Sequence, residues 1–278
     1  MKSNEITGNI LTIYFSGTGN TKYIAERFSH EMEATCLSIE DEANFTDEIK
    51  NHDIITFCYP IYGSRIPRNM RGFVMKHMSD ITSKKIIIFV TQALFSGDGA
   101  RVFTDMCWDD TVEVIYAEHF LMPNNINNFL IFRKASEKAI GKYIYKADIK
   151  MQKICRDIKN GIIKKRGFSQ WSQFLGNLQG KLWQGNSKEI EPGAKSIEER
   201  LKNRVTINNN CISCNLCVSI CPVNNFTNEQ TKIIPKGNCV ACYRCINRCP
   251  EKAVLVWNKI IPKWQYPDVT EIMKDFYE

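Results

Sequence analysis

Short, nearly continuous apolar runs alternate with helix-like segments over the first 120 residues. The runs are rich in β-branched and aromatic residues, and they stop at glycine, proline or polar clusters. They predict five strands, at residues 10–15, 35–39, 53–58, 85–91 and 112–120. Because apolar runs without alternation are typical of parallel strands that are buried on both faces, the pattern predicts a doubly wound α/β sheet.

A helical period follows over residues 132–165, where apolar side chains recur every three or four positions and lysines lie largely between them. An unbroken helix would be roughly 50 Å long at 1.5 Å per residue, with Gly141 and Gly161 as weak points. Residues 166–203 mix glycines, a proline and charges with large aromatic side chains. This composition predicts a connector that contains a short amphipathic helix.

Length, charge and hydropathy narrow the class of protein. The 278 residues, 44% apolar and 24% charged, are ordinary for a globular protein and sufficient for two domains. Residues 1–130 carry 11 Lys and Arg against 17 Asp and Glu, whereas residues 131–203 carry 17 against 7. The acidic part has no basic patch with interleaved aromatic residues, so no nucleic-acid partner is expected. No apolar run is long enough to span a bilayer and the N-terminus lacks the apolar core of a secretory signal, which predicts a cytoplasmic location.

Eight of the twelve cysteines lie between residues 211 and 249. They form two copies of one motif, 28 residues apart: Cys211-x2-Cys214-x2-Cys217-x3-Cys221-Pro222 and Cys239-x2-Cys242-x2-Cys245-x3-Cys249-Pro250. Structural zinc favours paired C-x2-C knuckles with a longer gap between the pairs. The observed spacing with a following proline is that of [4Fe–4S] clusters, so it favours iron–sulfur over the zinc alternative.

On these motifs, residues 204–260 resemble bacterial two-[4Fe–4S] ferredoxins, in which three thiolates of one motif and the fourth of the other hold each cluster. The resemblance implies two ligand sets: Cys211, Cys214, Cys217 and Cys249 for cluster one, and Cys239, Cys242, Cys245 and Cys221 for cluster two. The remaining cysteines are expected to be structural thiols: Cys36, Cys58, Cys107 and Cys155.

A loop rich in glycine and hydroxyl side chains, Ser16-Gly17-Thr18-Gly19-Asn20-Thr21, joins the first predicted strand to the first predicted helix. Free amides at a helix N-terminus, three hydroxyls and two glycines suit a phosphate. The loop lacks the GK[ST] and GxGxxG patterns and contains no Lys or Arg, which favours a phosphomonoester held by neutral dipoles. A simple turn with a helix cap is the alternative.

The loop resembles the FMN-phosphate loop of flavodoxins, and with the strand pattern the resemblance extends over about residues 8–165. It implies a flavodoxin-like, five-stranded parallel sheet of order 2-1-3-4-5 with FMN at the switch point beside the first strand. Two further loops are then expected to contact the flavin ring: Pro60, Ile61, Tyr62 and Gly63 after the third strand, and Thr91, Gln92, Phe95, Ser96, Gly97 and Asp98 after the fourth. Tyr59, Tyr62 and Phe95 are the candidates to stack on the ring, with simple packing as the alternative.

Over nearly its full length, the chain resembles the flavodoxin–ferredoxin fusion proteins of anaerobic bacteria and archaea. The resemblance implies an FMN-binding domain with a basic helix at 1–165, a connector at 166–203, and a small α+β domain with two [4Fe–4S] clusters at 204–278. The implied function is electron transfer between FMN, the clusters and outside redox proteins, with no catalytic residue. One alternative is an FMN-dependent reductase of a small molecule. Its candidate proton donors are His52, His77 and His119, although a lone histidine is more often a structural residue. Another is a binding module that has lost its flavin.

Three interpretations of the basic segment 133–190 stay open. Its lysines, among them Lys142, Lys146 and Lys150, would dock an acidic redox partner. Alternatively, Trp171 and Trp183 would anchor the segment at a membrane surface, which is the least expected of the three. The simplest interpretation is a solvated helix face and a connector packed between the domains.

Overall fold

The computed structural model describes residues 8–95, 97–107, 112–128, 134–184, 197–257, 260–269 and 272. Within these ranges, a parallel sheet of six strands has the order β2-β1-β3-β4-β5-β6. The strands are β1 (Ile10–Tyr14), β2 (Thr35–Ser38), β3 (Ile54–Pro60), β4 (Lys85–Gln92), β5 (Glu113–Leu121) and β6 (Lys164–Lys165). The predicted order of the first five strands is confirmed. The sixth was not predicted, because two exposed lysines carry no strand pattern.

Helices cover both faces of the sheet. One face carries α1 (Asn20–Met32) and α5 (Glu137–Lys159), and the other carries α2 (Phe45–Lys50), α3 (Arg68–Lys76), α4 (Met78–Ile81) and a 3₁₀ helix (Arg101–Met106). Successive residues of β4 pack into opposite layers: Ile87 and Phe89 face α1 and α5, and Ile86 and Ile88 face the other layer. Because both faces of each inner strand are buried, the apolar runs of the sequence show no alternation.

The basic helix α5 is shorter than the helical period suggested. It begins after Ser136, whose hydroxyl accepts the Ala139 N–H at 3.2 Å, and it ends before Asn160. Gly161 follows with φ of 69°, a left-handed conformation that stops a helix. Gly141 lies inside the helix and does not break it. Phe132, which began the predicted period, lies outside the described residues.

A smaller part with short antiparallel sheets follows, as the sequence predicts. Helices α6 (Gln170–Gln184) and α7 (Ile197–Lys202) precede it, in the predicted connector. Its elements are β7 (Val205–Ile207), α8 (Leu216–Ser219), β8 (Phe226–Glu229), β9 (Lys232–Pro235), α9 (Arg244–Arg248) and β10 (Val254–Val256). Strand β7 pairs with β10, and β8 pairs with β9. No helix in the described ranges combines the length and apolarity that a membrane crossing requires.

The segment after β10 returns to the first part of the chain. Tyr266 and Val269 are buried in the same core cluster as Ile24 and Ala25 of α1. The hydroxyl of Tyr266 also donates to the Asn20 side-chain oxygen at 2.7 Å. The domain limits at 165/166 and 203/204 stay a prediction, and this tail packs across them.

Helix α6 contacts the loop after β4 through two glycines. Gly97 has φ of 56°, and a Cβ there would lie 2.5 Å from the backbone nitrogen of Gly176. A Cβ on Gly176 would lie 1.8 Å from Oδ1 of Asp98, which is fully buried and bound to Arg101 at 2.7 Å. Glycine at both positions therefore lets α6 lie directly on this loop.

The substitution Gly176→Ala is expected to destabilise the protein by about 1–3 kcal/mol, because the new methyl group meets a buried carboxylate. Gly72→Ala in α3 is the matched control. A Cβ there meets no atom within 4 Å, so the change should stabilise by about 0.5–1 kcal/mol through helix propensity. Thermal unfolding of the two variants checks this, and equal midpoints for both would contradict it.

A buried carboxylate on β5 binds three cationic side chains at the edge of the sheet. Glu118 on β5 is 1% exposed and accepts from Lys150 at 3.0 Å, Lys164 at 2.7 Å and Arg166 at 3.1 Å. Burial opposes ionisation, but hydrogen bonds from Lys164, the His119 N–H and Lys150, with the charge of Lys150, outweigh it and lower the pKa of Glu118 to about 2. Lys150 is thus bound inside the fold, which removes it from the predicted docking cations.

Glu118→Gln should lower stability at pH 7 by on the order of 3 kcal/mol, the equivalent of the depressed pKa. The contribution of Glu118 is present above its unfolded pKa of 4.5 and is lost as pH falls toward 2. At pH 7 the carboxylate is ionised in both states, so its full effect is measurable there. Thermal unfolding against Glu113→Gln, at the exposed start of the same strand, is the test. Equal unfolding midpoints for the two variants would show that the ion cluster contributes nothing.

Candidate cofactor site

The loop between β1 and α1 forms an anion cradle. Gly19 precedes the helix with φ of 99°, and its N–H donates to Oγ of Ser16 at 3.1 Å. The first amides of α1 have no acceptor within the helix, as at every helix N-terminus. Ser16, Gly17 and Thr18 line a cavity together with Asn20 and Thr21. The cradle therefore suits a phosphate that is bound by backbone amides.

The side chains of this loop are largely engaged with the protein. Oγ1 of Thr18 accepts from the Asn125 side chain at 2.7 Å. The Asn20 amide donates to the carbonyl of Pro123 at 3.0 Å and accepts from Tyr266. The Asn20 side chain, predicted as a phosphate donor, thus joins the loop to neighbouring segments, and the backbone amides are the principal donors.

The cavity, of about 250 Å³, lies where β1, β3 and β4 end. The predicted residues that line it, besides the cradle, are Pro60, Ile61, Tyr62, Gly63, Thr91, Gln92 and Phe95. Gly97 and Asp98 lie outside its lining, beside Gly176 of α6, and their flavin contact stays a prediction. Ser96 lies outside the described residues. Further residues that no sequence pattern indicated also line it, namely Met122–Ile126, Gln179, Leu201, Ala241 and Tyr243.

Two of the three aromatic stacking candidates reach the cavity. Tyr62 is half-buried in its wall, and Phe95 lines it with 49% exposure. Tyr59 is fully buried in the core beneath, where its hydroxyl donates to the carbonyl of Gly99 at 3.2 Å, so it is not available to stack. Burial raises the pKa of Tyr62 well above its usual value, which keeps the phenol neutral.

Gln179 on α6 joins the two predicted ring-binding loops. Its side-chain oxygen accepts from the Ser64 hydroxyl at 2.8 Å, and its side-chain nitrogen donates to the carbonyl of Phe95 at 2.8 Å. The amphipathic connector thus closes one side of the cavity. No sequence signal distinguished Gln179 from a surface glutamine.

The eight motif cysteines surround two smaller cavities. One is lined by Cys211, Cys214, Cys217 and Cys249, and the other by Cys221, Cys239, Cys242 and Cys245. The structure thus brings together each foursome that the sequence predicts, three from one motif and one from the other. Within the described ranges, no group of three or more His, Cys, Asp or Glu side chains is placed to hold a single metal ion.

The backbone repeats along with the cysteines. Left-handed residues stand at the second, fourth and thirteenth positions after the first cysteine of each motif: Ser213, Asn215 and Asn224 in one, and Ala241, Tyr243 and Lys252 in the other. These turns aim amides at sulfur. The N–H of Ser213 donates to Cys211 at 3.4 Å, and that of Ala241 donates to Cys239 at 3.3 Å. Such bonds stabilise negative charge on a thiolate-bound cluster.

The thiols need a cation to ionise. Burial first, and the neighbouring thiols second, raise the pKa of Cys217 to about 11 and that of Cys239 to about 12. Several thiolates can therefore share one cavity at neutral pH only with metal among them. The chemistry and placement of these donors fit iron–sulfur clusters.

The four other cysteines are buried or half-buried in the sheet part. Burial raises the pKa values of Cys36, Cys107 and Cys155 to about 11, and it raises the pKa of Cys58 well above its usual value. Thiols of this kind stay protonated at neutral pH, in line with the structural role expected of them.

The loop of the second cluster motif forms a wall of the flavin-type cavity. Ala241 and Tyr243 line the cavity on either side of Cys242. A Cβ on Gly17 would lie 2.3 Å from the carbonyl oxygen of Cys242. The absence of a side chain at Gly17 therefore allows the cluster loop to touch the cradle.

The two parts of the chain match two family models. Residues 11–130 match the flavodoxin domain, and residues 205–227 match the 4Fe-4S binding domain. Together with the strand order, these matches define a flavodoxin domain followed by an iron–sulfur domain. This is the arrangement of the flavodoxin–ferredoxin fusion proteins that the motifs resemble. The predicted cofactors, FMN and [4Fe–4S] clusters, are confirmed at the level of these domain types, and the two domains support a role in redox electron transfer.

No curated protein matches the chain. Among solved structures, Megasphaera elsdenii flavodoxin is 20% identical, with a TM-score of 0.36 over 51% of this chain and 98% of its own. General stress protein 14 of Treponema denticola, in complex with FMN, is 11% identical, with a TM-score of 0.41 over 54% and 98%. A flavoprotein of Lactobacillus acidophilus in complex with FMN is 15% identical, with a TM-score of 0.34 over 41% and 93%. Because these scores are below 0.5, the fold assignment rests on the strand order and the family models.

Paired cysteine substitutions test the crossed ligand sets. With crossed ligation, Cys211→Ala combined with Cys249→Ala removes ligands of one cluster only, so about four of about eight irons per chain should remain. Cys211→Ala combined with Cys221→Ala removes one ligand from each cluster and should leave none. If each motif bound its own cluster, the two results would be exchanged. Iron and sulfide assays after anaerobic reconstitution decide, with Cys155→Ala as the control.

Proposed function

We propose that this chain relays electrons between an FMN in the cavity, the two [4Fe–4S] clusters and an outside redox protein. One observation carries the proposal: Ala241 and Tyr243, on either side of the cluster-two ligand Cys242, form part of the wall of the flavin cavity. Cluster two is therefore the neighbour of the flavin, and cluster one lies beyond it.

FMN can exchange one or two electrons, whereas a [4Fe–4S] cluster exchanges one electron at a time. A chain that holds both would therefore convert between two-electron and one-electron transfer. The protein supplies position and environment. The cradle amides of residues 16–21 hold the phosphate, while residues 60–63 and 91–95 hold the ring. Cys242, the cluster-two ligand between Ala241 and Tyr243, is 7% exposed, which keeps water away from this side of the cluster. The amides that point at sulfur support the reduced state.

The outer cluster offers the route to a partner. Cys214 is exposed, and so are Ile212 and Leu216 beside it, at 63% and 36%. A redox partner that docks on this face would come close to cluster one without disturbing the flavin. The proteins that dock there would be the electron donor or acceptor, and their reduction potentials would determine the direction of electron flow.

The residues around the cavity favour an electron carrier over an enzyme that reduces a small molecule. The hydroxyl of Tyr243, the tyrosine that the cluster loop contributes, donates to the Asn128 side chain at 3.1 Å. His52, His77 and His119, the nominal proton donors, are not among the residues that line the cavity. The wall over the flavin site is instead the loop of a cluster.

Removing one cluster at a time tests the order of the relay. In Cys214→Ala, which lacks cluster one, photoreduced flavin should still pass an electron to cluster two. In Cys239→Ala, which lacks cluster two, electron transfer from flavin to cluster one should slow by several orders of magnitude, because the nearest acceptor is gone. Anaerobic laser photoreduction with optical and magnetic detection of each centre measures both rates.

Equal rates in the two variants would contradict the order of the relay. A reconstituted chain that holds no flavin, or whose flavin never reduces a cluster, would exclude the function altogether. Iron, sulfide and flavin quantified per chain establish the loading before either rate is measured.

A further inference from the structure

Arg244 ties the cluster-two loop to the phosphate cradle. Its Nε donates to the carbonyl of Gly17 at 3.1 Å, and Nη2 donates to the carbonyl of Ser16 at 2.7 Å. Its Nη atoms also bind both carboxylate oxygens of Glu40, at 2.7 and 2.6 Å, and Nη1 reaches the carbonyl of Ile220 at 2.9 Å. These five bonds use all five N–H groups of a guanidinium.

The two cradle carbonyls determine where two amides point. The carbonyl of Ser16 shares a peptide group with the N–H of Gly17, and the carbonyl of Gly17 shares one with the N–H of Thr18. Cis peptide bonds are absent from the described residues, and in a trans peptide the carbonyl and the N–H point in opposite directions. With both carbonyls bound to Arg244, the two N–H groups point away from it.

A hydrogen bond to a carbonyl also polarises its peptide group. The N–H on the other side becomes a stronger donor, the cooperative effect seen in chains of hydrogen bonds. The cradle contains no Lys or Arg of its own. The hydrogen bonds from Arg244 behind two of its peptides therefore strengthen amide donors in a loop that has no cationic donor of its own.

We infer that Arg244 is a positioning residue for the flavin phosphate: it orients and polarises the Gly17 and Thr18 amides from the cluster-two loop. The inference rests on the proposed binding of FMN in this cavity. Flavin affinity then depends on a residue between two cluster ligands, Cys242 and Cys245. Glu40 fixes the guanidinium from the flavodoxin side, and a lysine cannot reproduce this fork of donors.

The test compares FMN with riboflavin, which has the same ring and no phosphate. The full chain with both clusters is freed of flavin and titrated anaerobically with each compound. Arg244→Met should weaken FMN binding about tenfold or more, as loss of charge-assisted hydrogen bonds does, and change riboflavin binding less than about twofold. Arg244→Lys should fall between, and Glu40→Gln should show a smaller loss with the same selectivity.

Arg68→Met is the matched control. Arg68 donates to the carbonyl of Asn238 at 2.9 Å, a comparable bond to the cluster domain that does not touch the cradle, so neither affinity should change. An equal loss for both flavins in Arg244→Met, or no loss, overturns the inference. If Arg244→Met loses iron, Glu40→Gln decides, since it leaves the cluster loop intact: a loss confined to FMN supports the inference and no selectivity overturns it. A native chain that binds no FMN overturns the proposed function as well.

Discussion

The close contact between Gly17 and the carbonyl of Cys242 is the constraint on which the arrangement of the two parts depends. A Cβ at residue 17 would lie 2.3 Å from that oxygen, so any other residue would push the cluster loop away. With glycine there, a loop of the iron–sulfur part becomes a wall of the cavity in the sheet part. The two candidate sites can lie side by side only because this one side chain is missing.

Local sequence patterns predicted what depends on neighbours in the chain. The apolar runs predicted the five main strands, and the resemblance to flavodoxins implied their order, which the structure has. Cysteine spacing predicted iron–sulfur clusters, and the resemblance to two-cluster ferredoxins implied that each takes its fourth thiolate from the other motif, as the two cavities are lined. The helical period placed α5 but ran past its end, and the helix stops before Gly161, one of the two weak points that the sequence marked.

Long-range packing defined the rest of the site. Gln179, Ala241 and Tyr243 line the cavity because separate segments meet there, and none of them stands out in its local sequence. Tyr59 and Tyr62 were equal stacking candidates on sequence. Tyr59 belongs to β3, whose side chains are buried on both faces, whereas Tyr62 lies beyond the end of the strand in the cavity wall. Charge counts likewise showed a basic segment but not that Glu118 neutralises part of it.

The tail that carries Tyr266 and Val269 has a consequence for how the molecule is made. These side chains complete the layer beside α1, yet the ribosome adds them only after both cysteine motifs. N-terminal domains commonly fold during synthesis, before the later domains of the chain are made. Here the sheet domain cannot complete its core packing until the cluster-binding loops have been synthesised. Biogenesis of the flavin half is thereby tied in time to that of the metal half.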